Sequence, residues 1–191
     1  MDYPVITFGH FYKSSDRDRE PVEWLVLDKK DDRALVISKY ALDIQEYNDV
    51  SRPTVWADSS VRNWLNNEFL NACFSSEEKE KLILSDVPAD ENPICDTAVG
   101  CDTQDYLFLL SIREAKKYFP EYGDAKAEIT GYCRNRGPFE YASGYCAYWL
   151  RTPGEYTDFA SYADENGSIV AKGGGVKIDY IAVRPALWIK I

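Results

Sequence analysis

The chain carries a single histidine, His10, so a nucleophilic triad or a histidine-bearing metal centre would have to use it. It follows the short apolar run Val5 to Phe8, where a surface or edge position is the simpler expectation. No HExxH, GxSxG, GxGxxG or Walker A pattern occurs. Gly173-Gly174-Gly175 could cradle an anion with its backbone N–H groups. No Lys-Ser/Thr follows it, and a chain reversal is the better expectation.

Five cysteines, Cys73, Cys95, Cys101, Cys133 and Cys146, lack zinc-knuckle spacing and are an odd number, so free thiols are expected. Asp158, Asp164, Glu165 and Asp179 crowd the C-terminal quarter. Paired carboxylates can serve as acid and base or ligate calcium, but their spacing fits no EF-hand. No cofactor is expected, and calcium is the one metal these residues bring into question.

Arginines fall into two groups. Arg134 and Arg136 lie in a polar stretch and are expected to meet the protein's own carboxylates. Arg151 and Arg184 sit inside apolar, aromatic segments, Trp149-Leu150-Arg151 and Val183-Arg184-Pro185. A guanidinium there must be paired or hydrogen-bonded, so both are assigned to the scaffold together with Trp149 and Trp188.

The elements that must position these residues are legible in part. Val22 to Leu27 and Ala34 to Ser38 are apolar runs around the charged stretch Asp28 to Arg33, which predicts a hairpin, central and covered on both faces. Ser59 or Ser60 can cap a helix that places Val61, Trp64, Leu65, Phe69 and Ala72 on one face. Ser75 with Glu78, and Ser111 with Glu114, form capping boxes for two shorter helices, the first reaching Leu82 and the second covering Ala115 to Phe119. Asp105 to Leu110 reads as a strand.

The stretches Pro88 to Gln104 and Pro120 to Ser143 read as irregular loops, the second ending in a turn at residues 134–138. Tyr148 to Arg151 reads as a strand, and Asn166-Gly167 as the turn of a hairpin. In the last strand Val183, Leu187, Ile189 and Ile191 share a face and Trp188 takes the other.

The chain has 191 residues, a formal charge of -10 and 45% apolar residues. One globular domain over residues 1–191 is expected. The charge argues against nucleic-acid and anionic-membrane partners. With no long apolar run and no basic leader, a cytoplasmic location is expected.

Glu23 to Leu27, the Ser59 to Asn66 run, Phe108 to Ser111, Trp149 to Pro153 and Val183 to Ile189 together resemble a bacterial family known as domain of unknown function 6273. The C-terminal part also resembles the variable proteins of diversity-generating retroelements, which display changeable side chains on a C-type-lectin-like, formylglycine-generating-enzyme-like fold. Ala160, Tyr162, Gly167, Gly173, Val176, Val183 and Arg184 match scaffold positions of that pattern. The copper-binding cysteine pair of formylglycine-generating enzymes has no convincing counterpart.

That resemblance implies an α+β fold, with two or three helices on a twisted, mainly antiparallel sheet and a C-type-lectin-like, loop-rich C-terminal half. The function expected is non-catalytic recognition of a protein or glycan by a surface containing Tyr156, Asp158, Asp164, Glu165, Asn166, Lys172, Lys177, Asp179 and Tyr180. The alternatives are an enzyme acting on a peptide or small molecule, using carboxylates and Cys146, and a self-association module.

Overall fold

The computed structural model describes residues 3–137 and 143–191. Its fold is mixed α+β, with mainly antiparallel, irregular sheets and few helices. The first sheet is built from β1 (Val5–Tyr12), β2 (Arg19–Lys30) and β3 (Arg33–Ser38), with β14 (Ala186–Lys190) beside β3 and β6 (Leu82–Ile83) at the edge. All of its pairings are antiparallel.

The β2–β3 hairpin closes between Lys30 and Arg33, and Asp31 takes φ 55° there. A two-residue hairpin turn needs left-handed backbone, which Asp tolerates better than most residues. Central β3 is buried from Ala34 to Ser38, whereas β2 largely alternates between buried and part-exposed positions. Coverage of both faces therefore holds for β3 and only in part for β2. His10 is exposed on edge strand β1.

The second sheet runs β12 (Ile169–Gly175), β11 (Phe159–Ala163), β10 (Tyr148–Pro153), β13 (Ala182–Val183) and β5 (Asp43–Ile44). Within it β10 and β13 are parallel and the other pairs antiparallel. Two-stranded pairs add β4 (Tyr40–Ala41) with β9 (Glu128–Ile129), and β7 (Ser85–Val87) with β8 (Thr103–Asp105).

The chain passes between the sheets four times, and two of these passages, after β3 and between β13 and β14, lie side by side. Ser38 N–H donates to Pro185 O at 2.9 Å and Leu42 N–H to Val183 O at 3.0 Å. Buried backbone groups in these connectors thus find partners in each other.

The main helical segment, residues 60–73, joins α1 (Ser60–Trp64), a π turn (Leu65–Phe69) and α2 (Leu70–Cys73). Ser59 caps it by accepting from Arg62 N–H at 3.3 Å. A π turn winds wider than an α turn, and the buried row is Val61, Leu65, Phe69 and Cys73, four residues apart throughout. Trp64 and Ala72, expected within that face, are only half-buried.

Both capping boxes form, at the starts of α3 (Ser76–Lys79) and α4 (Ile112–Tyr118). Helix α3 ends before Leu82, which pairs into β6 instead. The segment expected as a strand at 105–110 is regular only to Asp105, then bends at Tyr106 and Leu107 and is buried from Leu107 to Leu110. Its backbone is satisfied piecemeal: Asn66 serves Tyr106 and Leu107, Ala186 bridges Phe108, and Leu110 O accepts from Arg151 N–H.

Three further expectations are corrected. The stretch 120–143, taken as loop, contains β9 and α5 (Gly131–Arg136), capped by Thr130 accepting from Cys133 N–H at 3.1 Å. That helix occupies 134–136 where a turn was expected, and Pro138 lies outside the described residues. Gly173 to Gly175 are strand rather than reversal: a Cβ at Gly173, φ +75°, would stand 2.3 Å from Ala160 O. The glycines let β12 lie close against β11. Lastly, Val183 belongs to a different sheet from Leu187 and Ile189, and Ile191 is 60% exposed.

Candidate functional site

The nine C-terminal residues expected to form one surface are distributed over three neighbourhoods. Tyr156 is 58% exposed and packs edge-on against Phe159, with ring centroids 5.0 Å apart. Half-buried Asp158 is close by in sequence, and Lys172 reaches the same region through its 3.2 Å ion pair with Glu155. The irregular 88–104 segment secures this end: Asn92 donates to Pro153 O and Ala171 O, and Thr97 to Gly154 O and Glu155 O.

Asp164, Glu165 and Asn166 form the tip of the β11–β12 hairpin. Asp164 Oδ1 accepts from the N–H groups of Asn166 and Ser168, so this carboxylate shapes its own turn. Gly167 supplies the left-handed position, φ +78°. The Tyr162 hydroxyl is pushed upward in pKa by burial first and then by nearby Tyr180, Asp164 and Glu165, which places those four side chains in one electrostatic neighbourhood. Tyr180 is 39% exposed. Strand β11 separates this tip from Tyr156, about 15 Å along the strand.

Lys177 and Asp179 face a third region. Lys177 Nζ donates to Glu46 Oε2 at 2.6 Å and to Asp49 O at 3.0 Å, fastening the chain after β12 to the segment before α1. Asp179 lines an open cavity of about 640 Å³ with Glu46, Asp49, Asn63, Trp64 and Glu68. The half-buried Trp64 gives it an aromatic wall. Arg136 also lines it, but its charge is spent on buried Asp43 at 2.6 Å. Burial pushes the Asp43 carboxyl upward in pKa while Arg136 opposes it.

Trp64, Asn63, Glu46, Asp49 and Glu68 were not among the sequence-expected site residues. Trp64 read as core because the helical period put it there, whereas it sits at the end of α1 half-buried at the cavity edge. Glu46, Asp49 and Glu68 carried no signal beyond ordinary surface charge.

The scaffold assignments acquire concrete partners. Arg151, 2% exposed, donates to Pro88 O, Leu109 O, Asp90 and Glu114. Trp149 donates to Gln45 O at 2.9 Å and meets the Tyr47 and Tyr162 rings edge-on. Half-buried Trp188 lies under the Arg33 guanidinium at 4.9 Å. Arg184, also 2% exposed, bonds among the described residues only to neutral acceptors: Ser38 O at 2.9 Å, Ala125 O at 3.4 Å and the Tyr148 hydroxyl at 3.3 Å.

All five cysteines are free thiols, with Cys73, Cys133 and Cys146 buried. Burial pushes the Cys146 thiol up to about 12, with Arg184 and Arg134 pulling the other way. At neutral pH it is a protonated, inert thiol, which weighs against its use as a nucleophile. Among the described residues, no group of three or more His, Cys, Asp or Glu is placed to hold a metal ion, and no helix is long and apolar enough to cross a membrane.

Taken together, the structure defines an α+β protein of two linked antiparallel-rich sheets, with an open, carboxylate-lined cavity beside its C-terminal loops. The chain belongs to the family described as Domain of unknown function (DUF6273), which it matches over residues 31–191. No curated protein and no solved structure matches it.

Proposed function

We propose that the protein is a non-catalytic recognition domain, of C-type-lectin-like architecture, that binds a protein or glycan at the cavity edged by Asp179 and along the neighbouring C-terminal loops. The observation that carries this reading is the joining of an aromatic wall, Trp64, to exposed Asp49, Glu68 and Asp179, none of which has an ion-pair partner among the described residues. Such a surface offers a flat apolar contact and hydrogen-bond acceptors on a rigid frame. It suits a ligand that donates: the hydroxyls of a glycan, or the ammonium and guanidinium groups of a basic protein. Tyr180, next to Asp179, adds a large side chain that loses little entropy on binding, and Tyr156 offers a second such contact on the separate loop after β10.

The test is capture of ligands from a glycan array and a set of basic peptides, followed by calorimetry. The double variant D49A/D179A loses capture and keeps the wild-type melting temperature, because both side chains are exposed and have no ion-pair partner among the described residues. Raising salt weakens a basic-protein ligand steeply and a neutral glycan hardly at all. Undiminished capture by the double variant would overturn the proposal.

A further inference from the structure

The two buried arginines differ in how their charge is met. Arg151 touches the carboxylates of Glu114 and Asp90. Arg184 has no ion-pair partner among the described residues, although a buried guanidinium without a counter-charge is costly. Its Nε and Nη1 are used on Ser38, Ala125 and Tyr148. Nη2 donates to no group among the described residues. Every fully buried side-chain nitrogen and oxygen among the described residues has a hydrogen-bond partner. Nη2 is therefore the part of Arg184 that is not sealed, and Arg184 lines a cavity of about 210 Å³.

That cavity is separate from the one edged by Asp179. Tyr40, Tyr145 and Phe119 give it aromatic walls, and the Arg184 guanidinium already lies 5.3 Å from the Phe119 ring centroid. The remaining charges are closer to solvent. Lys39 is engaged by Glu23 at 2.9 Å, and exposed Lys126 lies over the Tyr145 ring at 5.2 Å; exposed Glu128 and half-buried Asp124 also line the cavity. Among the lining residues Arg184 is the one buried charge, a cation, and the two carboxylates of the lining disfavour multiply charged anions. Its volume lies below the ~300–1,000 Å³ of sites for drug-sized ligands.

We infer that this cavity is a binding site for a small aromatic monocarboxylate, with the carboxylate on Arg184 Nη2 and the ring between Tyr40 and Tyr145. The proposal is independent of the function assigned to the Asp179 cavity, and either can fail alone.

The test titrates the full chain by calorimetry with sodium benzoate, with neutral benzamide, and with acetate at matched ionic strength. Benzoate binds saturably. Benzamide, which lacks the charge that Nη2 meets, binds about tenfold to a hundredfold more weakly, and acetate, without the ring, binds more weakly than benzoate. Failure of benzoate to saturate, or equal binding of benzoate and benzamide, overturns the assignment. Arg184→Met removes the charge at similar volume and abolishes benzoate binding; a folded R184M that binds as wild type overturns the site. Because Arg184 also supports the passage between the sheets, Tyr145→Ala is the second variant. It shortens a half-buried wall and weakens benzoate about two- to tenfold, and unchanged affinity in Y145A places the binding elsewhere.

Discussion

Glu114 Oε2 accepts two hydrogen bonds at once, from the backbone N–H of Ser111 at 2.9 Å and from Nη1 of Arg151. One carboxylate oxygen therefore closes the capping box of α4 and neutralises a guanidinium buried on β10. Replacing Glu114 by Ala strands the Arg151 charge against Asp90 alone and removes half the cap. The expected loss is about 3 kcal/mol, read from urea unfolding midpoints at unchanged slope. A loss below about 0.5 kcal/mol would show that Asp90 suffices.

The glycine run of β12 makes a contrast within three residues. Gly173→Ala puts a methyl 2.3 Å from the Ala160 carbonyl oxygen on left-handed backbone, whereas at Gly174 the nearest atom is the Ile178 Cδ1 end at 2.8 Å, which can swing away. G173A is expected to cost about 2–4 kcal/mol and G174A under about 1.5 kcal/mol. Thermal melts of the two variants side by side check the order, and equal losses would remove the argument.

Glu23 receives Lys13 Nζ at 2.8 Å and Lys39 Nζ at 2.9 Å. The Lys13 hydrogen bond, then that of Lys39, hold its carboxyl below the ordinary glutamate range against a smaller opposing effect of burial. A depressed folded-state value means that the stabilisation is complete above the ordinary glutamate value and is lost as pH falls through the folded one. Glu23→Gln should lower the melting temperature at pH 7 and leave it nearly unchanged under strongly acidic conditions. A constant difference at every pH would contradict the pairing.

Thiol chemistry separates the cysteines by burial. Cys101 is exposed and Cys95 half-buried, while burial drives Cys73, Cys133 and Cys146 upward in pKa. Iodoacetamide at pH 8 should alkylate Cys101 first and Cys95 more slowly, leaving the other three untouched until denaturant is added. Mass spectrometry of the native protein that shows modified Cys146 would reopen its use as a nucleophile.

What could be read in advance was local. Ser75 with Glu78, Ser111 with Glu114, and Asn166-Gly167 each encode their geometry within a few residues, and each forms. Burial of Arg151 and Arg184 was legible too, because a charge amid tryptophan and leucine has to be enclosed. The counter-charges were not: Asp90 lies 61 residues from Arg151, in a segment with no period. Helix α5 was missed because Gly131 and Asn135 lower the helical signal, although Thr130 was an available cap. The cavity joins Glu46 and Asp49, Asn63 to Glu68 and Asp179, segments far apart in sequence, so it emerges only once the chain packs. Gly173 to Gly175 read as a reversal because glycine marks close backbone approach as well as turns, and only the partner strand decides between them.

The side-by-side passages at 38–42 and 183–185 have a mechanical consequence. The Ser38–Pro185 bond continues the β3–β14 ladder of one sheet and the Leu42–Val183 bond the β13–β5 ladder of the other, while Arg184, between Val183 and Pro185, holds Ser38 O at 2.9 Å. A strain that slides one connector along the other therefore loads a hydrogen bond in each sheet at once, and the two sheets are coupled through this pair of connectors.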